Sequence, residues 1–88
     1  MRIENLYYSS RFQKSLKKFS KGERRIIQKR LELFAKDSFD SSLKTHKLSG
    51  KFSGYWSFSI DFDLRIMFEF VDEKSVGLVD VGTHSIYG

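Results

Sequence analysis

Eighty-eight residues without a cysteine exclude a disulfide framework, a cysteine nucleophile and a thiolate zinc site, and they suit a single domain over 1–88. Nine Phe, four Tyr and one Trp supply large side chains for a small core, while charges break every apolar run short of signal-peptide or membrane-span length, so a soluble cytoplasmic protein is expected. The net charge of +5 is uneven: residues 1–52 carry 14 Lys/Arg against 5 Asp/Glu, and residues 53–88 carry 2 against 6, a balance that suits a polyanion, an acidic protein partner or a solvated helix face.

In chain order, RIENLYY (2–8) reads as a short strand. Ser9 and Ser10 are N-cap candidates for a helix running through Phe19, with Phe12, Leu16 and Phe19 along one stripe. Ser20 and Glu23 have capping-box spacing and open a second helix, whose stripe of Ile27, Leu31 and Phe34 is widened by Ile26 and Leu33. The two helices read as a hairpin, followed by the polar loop DSFDSS (37–42).

Beyond Lys44 the period changes to two. Trp56, Phe58, Ile60 and Phe62 alternate with Ser57, Ser59 and Asp61, and Ile66, Phe68 and Phe70 alternate with Arg65, Met67 and Glu69. Asp72-Glu73-Lys74-Ser75 is a turn into a last strand, Val76 to Val81. The expected fold is α+β, in the order β-α-α-β-β-β: an N-terminal strand, a helical hairpin and an antiparallel meander, with the helices on one face of a twisted sheet. Trp56, Phe58 and Ile60 lie under the helices, and Ser57, Ser59, Asp61, Arg65, Met67 and Glu69 point to the second face.

Few groups can do chemistry: His46, Asp61, Asp63, Arg65, His84 and Tyr87. Singly, each also has a plain structural reading, such as a solvated loop histidine, an aspartate ending a strand, or a surface pair of Arg65 with Glu69. Jointly they are more specific. Arg65 starts one strand, His84 follows the end of the next, and Asp63 lies two residues before Arg65, so an antiparallel pairing draws the three to one end of the sheet. An arginine, an imidazole and a carboxylate suit phosphodiester cleavage, with acid–base groups at the attacking and leaving oxygens and a guanidinium on the phosphate. His46, Asp63 and His84 also offer two imidazoles and a carboxylate to a metal, but without a compact ligand motif, and none is expected. Gly50-Lys51-Phe52-Ser53-Gly54 lacks the phosphate-loop pattern and reads as a turn that leaves Lys47 and Lys51 free for a nucleic-acid backbone.

The stretches HKLSGKFSGYWSFSIDFDLRIMFEF (46–70) and VDVGTHSIYG (79–88) resemble the RelE/ParE superfamily of bacterial toxins, nearest its RelE/StbE and YafQ-like branch. The shared elements are H-x-L-x-G, the D-x-R-I-x-F-E-F strand and the terminal G-T-H. This resemblance implies a type II toxin–antitoxin module whose toxin enters the ribosome (30S A site) and cuts translated mRNA without metal or cofactor. The ribose 2′-hydroxyl attacks the adjacent phosphate and leaves a cyclic phosphate. It implies a cognate antitoxin as partner. It also implies His84 as general acid, Arg65 on the scissile phosphate, Asp63 and His46 as base or orienting groups, and Tyr87 as the ring that positions a base or shares in proton transfer. A gyrase inhibitor of ParE type and an antitoxin-binding relic are the alternative readings. Two departures stand out: Ser59 and Asp80 occupy positions where relatives carry basic residues, which implies a slower enzyme or greater reliance on the ribosome, Lys47 and Lys51. Lys14, Lys17, Lys18, Arg24, Arg25, Lys29 and Arg30 on the helices suit ribosomal RNA or an acidic antitoxin helix alike.

Overall fold

The computed structural model describes residues 1–87. β1 (Asn5–Tyr8) leads into α1 (Ser10–Leu16) and α2 (Lys21–Lys36), then β2 (His46–Lys47), β3 (Trp56–Ser59), β4 (Arg65–Asp72) and β5 (Ser75–Gly82). The sheet has the order β1-β5-β4-β3-β2, with β2 to β5 antiparallel in succession and β1 parallel to β5. The α+β fold and the meander therefore stand as expected. The two-residue β2 is an addition that the sequence pattern did not show.

Local chemistry sets the helix limits. Ser9 accepts from the Phe12 amide at the start of α1, and Ser20 and Glu23 form the full capping box of α2. That box is also why α1 stops at Leu16 and not at Phe19. The N-cap backbone of Ser20 is extended, so residues 17–19 close as a turn, with the Lys18 and Phe19 amides donating to Ser15 and Leu16 carbonyls. β1 begins three residues later than expected because Ile3 and Glu4 donate to Ala35 and Lys74 carbonyls, tying the chain to the end of α2 and to the β4–β5 turn.

The core lies between the helices and one sheet face. Phe12, Ile27, Leu31 and Phe34 meet Phe58, Ile66, Phe68, Val76, Leu78 and Val81. Phe34 stacks on Phe58 with ring centroids 4.3 Å apart and meets Phe68 edge-on at 4.8 Å. Phe62 is a correction. The apolar alternation carries the strand through it, yet β3 ends at Ser59 and Phe62 is 94% exposed. One oxygen of Asp61, Oδ1, accepts from the amides of Asp63 and Leu64, and this turn ends the strand.

The second face is not open throughout. Met67, expected to point outward, is only 2% exposed. The chain after β5 folds back as a short 3₁₀ turn (His84–Tyr87), which buries Ile86 and carries Tyr87 to Ser57 on this face.

Candidate active site

Strand register brings the site together. On the second face, His46 lies opposite Ser57 and Ser57 opposite Met67, whose neighbour Asp80 stands at an irregularity of the β4–β5 register; the next row is Ser59, Arg65 and Gly82. Successive residues on one face of a strand lie about 7 Å apart, so the two rows are neighbours. The Tyr87 hydroxyl donates to Ser57 Oγ at 2.7 Å. The Tyr87 ring meets His84 edge-on at 5.8 Å and Phe52 at 5.9 Å. Four residues singled out from the sequence, His46, Arg65, His84 and Tyr87, thus gather at one end of the sheet. Arg65 sits opposite Gly82, two residues before His84.

His46 is exposed on β2, and its Nδ1 is 2.8 Å from the Lys44 carbonyl. A carbonyl only accepts, so Nδ1 carries the proton and Nε2 of the neutral ring keeps its lone pair. Lys44 holds its carbonyl there with a left-handed backbone, φ 52°. Arg65 is half-buried, and its Nε–H has no acceptor among the described residues. A cleft of about 490 Å³ opens beside them, lined by Arg30, Lys44, His46, Asp61, Phe62 and Arg65, with Ser42 and Ser59.

Asp63 is placed differently. Its side chain is exposed and makes no hydrogen bond among the described residues, and the carboxylate that lines the cleft belongs to Asp61. No three histidine or acidic side chains come together as a metal set among the described residues, so His46, Asp63 and His84 do not share a coordination sphere.

Arg30 differs from the free helix cation expected of it. It is half-buried, and one guanidinium nitrogen donates to the carbonyls of Ser42 (2.8 Å) and Ser59 (3.1 Å), which ties α2 to the rim of the cleft. Arg24 donates to the Phe19 carbonyl, while Lys14, Lys17, Lys18, Arg25 and Lys29 are exposed. Lys51 lies 5.3 Å from the Phe52 ring centroid, next to Tyr87, whereas Lys47 lies 5.5 Å from the centroid of Trp56, which packs against the core side of the sheet.

Sequence reasoning missed the supports of the last turn. Asp80, read as a missing cation, is buried: Arg11 Nε donates to it at 2.9 Å and the Ser15 hydroxyl donates to its other oxygen. Arg11 also donates to the Ile86 carbonyl at 3.1 Å. One guanidinium therefore joins α1, β5 and the turn that carries His84 and Tyr87. The only sequence signal was an acid in the final strand and an arginine 69 residues earlier, a spacing no local pattern connects.

Comparison with known proteins decides the family. Residues 4–87 match the family described as the YafQ bacterial toxin of type II toxin–antitoxin systems. The chain belongs to the YafQ toxin family. No curated protein matches it. Among solved structures, a mutant of YafQ from E. coli is similar over 99% of this chain and 98% of its own, with a TM-score of 0.76 and 18% identity. YafQ in the E. coli DinJ–YafQ toxin–antitoxin complex gives 0.72 and 20%, covering 98% and 97%. The Staphylococcus aureus YoeB–YefM complex gives 0.74 and 22%, covering 96% and 99%. As a YafQ-family chain it shares their fold of two helices and a five-stranded mixed sheet, and among its described residues no helix is long and apolar enough to cross a membrane.

Proposed function

We propose that this YafQ-family toxin is a ribosome-dependent endoribonuclease that cuts translated mRNA by acid–base catalysis on a ribose 2′-hydroxyl. It acts in the cytoplasm and is held in check by a cognate antitoxin. The observation that carries this reading is the convergence of His46, Arg65, His84 and Tyr87 on one end of the sheet beside a cleft edged with cations.

His46 fits the general base. Its Nδ1–H is held by the Lys44 carbonyl, which leaves Nε2 to take the 2′-hydroxyl proton. The 2′-oxygen bonds to phosphorus, the bond from phosphorus to the 5′-oxygen breaks, and His84 protonates the departing oxygen. The products are a cyclic phosphate and a 5′-hydroxyl. Arg65 binds the non-bridging oxygens and stabilises the charge that gathers there. Tyr87, fixed by Ser57 and Phe52, holds the His84 ring in place. Asp63, exposed and outside the lining of the cleft, takes no part in this step. Lys47, Lys51 and the exposed helix cations supply phosphate contacts to ribosomal RNA, which carry affinity without sequence preference.

Primer extension on a defined message in a reconstituted translation system tests this, with and without ribosomes, for wild type and His84→Ala. Cuts that require ribosomes and vanish in His84→Ala are expected. Intact message from a protein that still arrests growth, with gyrase cleavage complexes trapped, would replace the reading with gyrase inhibition. Intact message and no arrest would leave a chain that only binds its antitoxin.

A further inference from the structure

We propose that Phe62 is the stacking platform for a nucleobase of the RNA held in this cleft, an inference that rests on the endoribonuclease reading. Its ring is 94% exposed, more than any other large apolar side chain described. The turn that presents it is built firmly. Ile60 donates to the Leu64 carbonyl at 2.8 Å, and Asp61 Oδ1 accepts from Asp63 and Leu64 amides at 2.9 and 2.8 Å. A single exposed apolar residue needs no explanation in general. This one, however, sits at the tip of a tight turn, where small polar residues are usual, and it lines the same cleft as Arg30, Lys44, His46 and Arg65.

Sites for single-stranded RNA combine cations that follow the backbone with aromatic faces on which bases stack. Tyr87 has no comparably open face, because Phe52 and His84 lie against its ring and Ser57 holds its hydroxyl. The charges on either side of Phe62 choose the part of the nucleotide that reaches it. Asp61 and Asp63 flank Phe62 in the chain and repel phosphate, whereas Arg65 and Lys44 in the lining of the same cleft attract it. A nucleotide whose phosphate lies on Arg65 therefore turns its base toward Phe62.

The test uses the full-length protein and ribosomes programmed with a short message carrying 2-aminopurine in the vacant A-site codon, with a 2′-deoxyribose at the scissile position. Wild type is expected to quench the 2-aminopurine by stacking, Phe62→Ala to lose the quench, and Phe62→Trp to restore it. On the cleavable message, Phe62→Ala raises the half-saturating toxin concentration about 5- to 150-fold, the loss of one base stack, and changes the saturated rate less. Since Phe62 is exposed, the thermal midpoint of Phe62→Ala should match wild type. Unchanged quenching and loading in Phe62→Ala, while His84→Ala still abolishes cleavage, would overturn this proposal and leave the enzymatic reading intact. Weakened binding of a protein partner by Phe62→Ala, with quenching unaltered, would overturn it in favour of a protein contact. Absence of cleavage by wild type would remove both.

Discussion

At Gly82 a single added methyl reaches the proposed chemistry. A Cβ there would stand 2.7 Å from Ile86 Cγ2, closer than real Cβ atoms approach, so the Ile86 side chain, or the His84–Tyr87 turn that carries it, has to shift. Gly82→Ala is expected to destabilise the fold by about 1–3 kcal/mol, as overpacking does. Where the turn is what shifts, cleavage should slow by more than that loss of folded protein explains, because His84 and Tyr87 ride on it. Chemical unfolding and single-turnover cleavage of one preparation check both. The Arg11–Asp80 pair makes a second residue-scale case. Asp80's side chain is 7% exposed while Arg11's is 56% exposed, so only the carboxylate is stranded when its partner goes. A double-mutant cycle of Arg11→Ala and Asp80→Ala should show a coupling of about 1–3 kcal/mol, in the range for touching residues; a value near zero would make the bridge a surface ornament. Tyr87→Phe removes one neutral hydrogen bond to Ser57 and should cost about 0.5–1.5 kcal/mol in unfolding.

Among the elements, α2 carries a pH signature. The Ser20 amide, and then its hydroxyl, hold the Glu23 carboxyl below its ordinary value of 4.5. A carboxyl with a lowered value in the folded state stabilises above its unfolded value and loses that contribution as pH falls through the folded one. Glu23→Ala should therefore lower the thermal midpoint at neutral pH, and its difference from wild type should shrink below pH 4.5. A difference that grew on acidification would contradict the capping box. Element limits also show what the sequence reveals and what it hides. Trp56-Ser57-Phe58-Ser59 and Ile66 to Phe70 announce strands because burial on one face imposes period two. Phe62 continues that apolar rhythm past the end of β3. What stops the strand is Asp61's capture of two amides, a bond that hydrophobic periodicity does not register. β2 has two residues, too few for any period to appear.

Across the whole molecule, charge and chemistry are divided between layers. The sequence already showed the basic first part and acidic second part; strand ends drew Arg65, His84 and Asp63 together, and the family resemblance added His46 and Tyr87, of which Asp63 alone falls outside the gathered group. Bonds formed between distant segments stayed hidden. Arg30 looks like one more helix cation until its tie to the Ser42 and Ser59 carbonyls is seen, and Asp80 looks like a replaced cation until Arg11 is found beside it. In the turn after α1, Lys17 and Lys18 are exposed and unclaimed by any described side-chain hydrogen bond, so the ribosome contact proposed for them can be tested by salt. Replacing both with Ala should weaken ribosome association regardless of the message. It should also flatten the dependence on log salt by about 0.7–0.9 for each phosphate these lysines neutralise. Replacing Arg30 should instead lower stability, as its carbonyl ties are broken.

The claim on which the rest depends is that the last turn delivers His84 to protonate the departing 5′-oxygen. Single-turnover cleavage in the ribosome, with messages whose scissile 5′-bridging atom is oxygen or sulfur, tests it most directly, since sulfur leaves without a proton. His84→Ala should slow the oxygen linkage by about 10²–10⁴-fold and leave the sulfur linkage close to the wild-type rate. An equal slowing on both linkages would show that His84 is not the acid.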